Sequence, residues 1–115
     1  MQMNKRQEFA RKYHTLYSDP KSCDRDVDTR FAEECGALGF EMDCGKLFIE
    51  KYSEEAFYQS GELRKVIDQI SDPDILGSAI LSRWRYITHW THDSLLDDEN
   101  RSWFVTAFGR LRDIV

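Results

Sequence analysis

No stretch of this chain is a candidate for crossing a bilayer: every apolar run falls well short of the ~18 residues that a spanning helix needs. The opening "MQMNKRQEFARKY" lacks the apolar segment and small-residue cleavage site of a secretion signal. A cytoplasmic location is therefore expected. Cysteine is scarce, and Cys23, Cys35 and Cys44 form no CxxC pair. An odd count without that spacing argues for free thiols in a reducing compartment and against a structural zinc site. The one glycine-rich span, "CGALGF", is too short to cradle a nucleotide, and no GxSxG elbow or HExxH helix occurs. No local signature places a thiol beside His14, His89 or His92 for Cys-His catalysis. The chain has no internal repeat, low-complexity segment or linker. One helical domain over residues 1–115 is expected, with no catalytic residues, metal or cofactor.

Rings are plentiful. Seven Phe, five Tyr and three Trp make 13% of 115 residues, enough to build a core although hydrophobic residues reach only 41%. Charge is unevenly spread. Residues 1–30 hold seven basic and five acidic side chains, residues 31–74 four and eleven, and residues 75–115 five and five. A middle segment at −7 argues against direct binding of nucleic acid through its phosphates and admits a protein partner with a basic surface. The candidate contacts are Glu33, Glu34, Glu41, Asp43, Glu50, Glu54 and Glu55.

The hydrophobic spacing predicts an all-α compact bundle of five or six helices. Phe9, Tyr13 and Leu16 share a face between Lys5 and Tyr17, and "SDPKS" stops that helix. A second helix begins near Asp26 with Val27, Phe31 and Cys35 on one side, and Gly36 is placed to end it with a left-handed cap. In "ALGFEMDCG", Leu38, Phe40 and Met42 alternate as in a short extended piece with no obvious strand to pair with. Asp43 can cap "GKLFIEKY", and Ser53 a short "EEAFY" turn. Leu63, Val66, Ile67 and Ile70 stripe the next helix. Asp72 and Pro73 then open a long one, whose core face holds Leu76, Ala79, Ile80, Trp84, Ile87 and Trp90. The last helix starts at Asp97 or Asp98 and buries Trp103, Phe104, Ala107, Phe108, Leu111 and Ile114.

Three features of residues 82–104 invite a functional reading. His89, His92 and Asp93 could offer two imidazoles and a carboxylate to a metal. At ~100° per residue, however, both histidines project away from the core, and Arg85 lies between them. Arg83 falls in the apolar face, so it needs either an ion pair, with Glu33, Glu34, Glu50 or Asp68, or a pocket that receives an anionic group. Arg85, His89, His92, Asp93 and Arg101 form an alternative polar patch, and Arg85, Arg101 and Arg112 could make a basic one.

"DPDILGSAILSRWRYITHW" through "ENRSWFVTAFGRL" resembles the C-terminal part of small helical proteins of Gram-positive gut bacteria and their mobile elements. In both, an Arg-Trp helix ends in His-Trp, and a second helix opens with Asn-Arg and continues Trp-Phe. The resemblance covers the last third of the chain and implies a bacterial, phage or plasmid source, with no activity attached. The leading expectation is a non-catalytic protein-binding module. In a mobile-element setting, its acids would engage the basic channel of a host protein such as a defence nuclease. The alternatives are a small enzyme with a site around Arg83, His89 and Asp93, and a homodimer made through Tyr13, Tyr17, Phe57 and Tyr58.

Overall fold

The computed structural model describes residues 4–19, 26–91 and 97–115. These contain seven α-helices and no strand: α1 (Lys5–Ser18), α2 (Asp26–Ala37), α3 (Lys46–Lys51), α4 (Glu54–Tyr58), α5 (Ser60–Val66), α6 (Pro73–Arg85) and α7 (Asp98–Ile114). The all-α class agrees with the sequence pattern. The helix count exceeds the expected five or six because "EEAFY" closes a full turn: the Ser53 hydroxyl accepts the Ala56 N–H at 3.2 Å.

Helices α1 and α7 run antiparallel. Gln7 donates to the Arg112 carbonyl, Tyr13 stacks on Phe108 at 5.6 Å, and Tyr17 stacks on Phe104 at 5.0 Å. Phe9 and Tyr13 of the α1 stripe are buried, but Tyr17 rather than Leu16 completes that face, and Ile114 at the end of the α7 stripe is only half-buried; Phe9, Phe31 and Trp84 extend the same ring cluster. Tyr13, Tyr17 and Phe57 are almost wholly buried, leaving only Tyr58 exposed of the four rings expected at a dimer contact. That contact is corrected on this ground: three of its rings fill the core.

Helix α6 lies at the centre. Asp72 accepts the N–H groups of Asp74 and Ile75, Pro73 occupies the first turn, and all nine residues from Leu76 to Trp84 are buried. The burial is wider than a single apolar face because other segments cover the remaining sides. One cover is the stretch after α2. Gly39, not Gly36, takes the left-handed conformation (φ +85°), with Phe40 N–H bonded to Cys35 C=O and Gly39 N–H to Gly36 C=O. The Leu38 carbonyl is taken by the Arg6 guanidinium, at 2.8 Å from Nη2. The chain then runs extended, and its alternate N–H groups, at Glu41 and Asp43, donate to Ser78 and Ser82, one turn apart on α6. Helix hydroxyls take the place of the missing strand.

Phe40 enters the core directly over Gly77, where a Cβ would clash with three carbons of the ring. Phe40 is buried and Arg6 lies over its ring, 4.7 Å from the centre, so the ring has little room to retreat. Gly77→Ala is expected to destabilise by about 2 kcal/mol, because overpacking outweighs the ~1 kcal/mol gain in helix propensity. A thermal scan should show Tm lower by about 5–10 °C. An unchanged or raised Tm would contradict this packing.

The long helix does not continue regularly to Trp90. It widens at Tyr86 into a π-helix, Tyr86–Thr91. Ile87 is nevertheless buried, as the sequence stripe has it. The side chains of His89 and Trp90 lie outside the described residues, as do His92 and Asp93. No helix among the described residues is long and apolar enough to cross a membrane.

Candidate functional site

Arg83 is an interior cation, only 5% exposed. Its Nη2 donates to the Tyr58 carbonyl and to Asn100 Oδ1, both at 3.2 Å. The guanidinium carbon lies 6.0, 5.8 and 5.7 Å from the rings of Tyr58, Tyr86 and Trp103. Such an aromatic cage suits arginine, whose flat and weakly hydrated charge stacks on ring faces. The expected acids are placed elsewhere. Glu34 pairs with Lys12 at 2.8 Å, and Glu33, Glu50 and Asp68 are exposed. The partners shown for Arg83 come from α4 and α7, so the charge ties three helices together.

Around the cage the helix ends are closed by side chains. The Trp103 indole N–H donates to the Ala56 carbonyl at 2.8 Å. Glu99 accepts the backbone N–H and hydroxyl of Ser60 and so caps α5 from another helix. The Ser60 backbone bond, aided by its hydroxyl and by Arg83 and Arg64, holds the Glu99 carboxyl below its usual pKa despite some burial. A depressed folded pKa contributes stability above the unfolded value near 4.3, and that contribution is lost as pH falls through the folded pKa. Glu99→Gln should therefore cost stability at pH 7, and the gap from the parent should close as the pH is taken into the acid range. Denaturant titrations at both ends of that range would show it; a gap independent of pH would contradict the cap.

The seven acids divide into two groups. Glu34 is held by Lys12. Asp43 is used by the fold, accepting from Gly45 N–H, Leu47 N–H and the Ser82 hydroxyl. Glu33, Glu41, Glu50, Glu54 and Glu55 are exposed, and none forms an ion pair with a described residue. Three of these, Glu50, Glu54 and Glu55, sit at the α3–α4 corner. Leu47, 50% exposed, lies on α3 one turn before Glu50, while Lys51 rests over the Tyr52 ring.

Arg85 and Arg101 line different grooves. Arg85 is exposed and lines a groove of about 300 Å³ with Met42, Cys44, Tyr58 and Tyr86. Arg101 is 3.9 Å from Asp98 and lines a different groove beside Tyr17 and Ser18, while Arg112 is occupied by Asp113. The sequence reading overlooked the Met42–Tyr86 groove, for which only the alternation ending at Met42 gave a signal. Two of the three exposed large apolar side chains among the described residues, Met42 and Tyr58, converge there. Cys44 is exposed, whereas burial pushes the Cys35 thiol far above its ordinary pKa and leaves it inert. No group of three His, Cys, Asp or Glu residues suited to a metal occurs among the described residues.

These features define an all-α domain with an interior cation, an acidic corner and an aromatic groove. No protein-family model, curated protein or solved structure matches the chain.

Proposed function

We propose that this protein is a non-catalytic binding module that docks on the basic surface of another protein through its α3–α4 corner. The observation that carries this reading is the set of acids there: Glu50, Glu54 and Glu55 are exposed and free of ion pairs with described residues, and the exposed Leu47 lies one turn before Glu50 on α3. Exposed carboxylates steer a basic partner, and an apolar side chain beside Glu50 gives the contact a dry spot. In its concrete form the partner is a host nuclease in the cytoplasm of a bacterium that carries a mobile element, and the carboxylates occupy sites otherwise taken by phosphates. The free thiols suit that compartment.

The test starts with capture of partners on the full chain at low salt, followed by elution with a short DNA duplex as a competing polyanion. A partner released by the duplex is then titrated with the parent chain and with the Glu50→Gln/Glu54→Gln/Glu55→Gln variant. The expected result is binding weakened about tenfold by the triple substitution, and further by raising salt, since exposed charges are screened within ~10 Å. Affinity indifferent to both changes, or no partner that the duplex displaces, would overturn the proposal.

A further inference from the structure

The Met42–Tyr86 groove has a chemistry unlike that of the acidic corner. Its walls are apolar and aromatic, with Phe57 and Tyr58 packed edge-to-face at 5.0 Å and Tyr58 and Tyr86 at 5.5 Å. The one hydroxyl group contributed by a serine, Ser82, is already engaged in both directions by Asp43. Arg85 is the cation on the lining, and it makes no ion pair or hydrogen bond with a described residue. Arg83 stands behind the same two tyrosines, on the core side of their rings. The wall also begins the π-helix at Tyr86, a distortion that occurs frequently at functional sites.

The geometry points to a binding site for a small amphipathic carboxylate, with the carboxylate on Arg85 and a short alkyl chain or single ring between Met42, Tyr58 and Tyr86. An arginine fork matches a carboxylate bidentately, and the apolar walls give nothing to a charged tail. A volume of about 300 Å³ lies at the small end of ligand sites, which selects a compact occupant. A cationic ligand is disfavoured, because Arg85 lines the groove and Arg83 lies behind it.

Cys44 supplies the readout, since its exposed thiol is part of the lining. The full chain is alkylated with iodoacetamide, with octanoate, octanol or octylamine present at equal concentration, and Cys44 modification is followed by peptide mass spectrometry. Octanoate should slow Cys44 alkylation at least about threefold, octanol less, and octylamine not at all. Arg85→Gln, a change at an exposed side chain, should keep the parent Tm and reduce octanoate protection to the octanol level. Backbone NMR shifts on adding octanoate should centre on residues 42–44, 58 and 85–86. Equal protection by octanoate and octanol in the parent, no protection by octanoate, or an Arg85→Gln variant that still prefers the carboxylate would each overturn the assignment.

Discussion

Trp103→Ala should remove about 3–5 kcal/mol of stability, a large share of the ~5–15 kcal/mol that holds a domain of this size together. Trp103 is wholly buried, and its ring meets Phe104 edge-on at 5.2 Å and Phe57 at 6.3 Å. The substitution leaves a cavity between α4 and α7, and it strips the Ala56 carbonyl of its donor at the end of a five-residue helix. It also removes one wall of the Arg83 cage. Trp103→Phe separates these effects: it refills much of the volume but supplies no N–H, and should cost about 1–3 kcal/mol. Urea unfolding followed by far-UV circular dichroism measures both. A loss below about 1 kcal/mol for Trp103→Ala would mean that the indole is not a keystone of the core.

The second large effect is expected at Arg83. Methionine there keeps an apolar stem of similar length and removes the charge. Tyr58 C=O and Asn100 Oδ1 then lose an interior donor, at about 1–3 kcal/mol each, and three ring contacts lose their cation. Relief from holding a desolvated charge offsets part of this. A net loss of about 2–4 kcal/mol is expected. Asn100 is itself buried, so Arg83→Met/Asn100→Leu should recover at least about 1 kcal/mol relative to the sum of the single changes, as a double-mutant cycle would show. Additive losses would indicate that the two side chains do not act together. Arg83→Lys should not rescue, because a point charge on a flexible stem cannot serve the carbonyl and amide while lying flat against rings.

Much of the fold was legible because its signals are local. Asp72 and Pro73 mark the start of α6 within three residues, and the stripe from Trp103 to Leu111 repeats within one helix. Ser53 announces α4 in the same way. What was illegible depends on residues far apart in the chain. The oxygens that accept from Arg83 lie 25 and 17 residues from it, on Tyr58 and Asn100, so no neighbouring acid could reveal them. The left-handed cap moved from Gly36 to Gly39 because the chain had to turn where Phe40 can enter over Gly77. The piece at 40–43 has no strand to pair with, and its partners are serines on a helix. The π-helix has no composition signature. The groove was hidden for the same reason: Met42, Tyr58 and Tyr86 belong to three separate elements.

Two arginines two positions apart have different roles: Arg83 is an interior strut and Arg85 is the cation offered to a ligand. Exchange of their guanidinium Nε protons with water, measured by nitrogen-15 NMR on the free protein, tests this division directly. The Arg83 proton should exchange at least about a hundredfold more slowly than that of Arg85, and its signal should be displaced by the surrounding rings. Equal exchange at the two sites would place Arg83 in solvent and remove the cage on which the division rests.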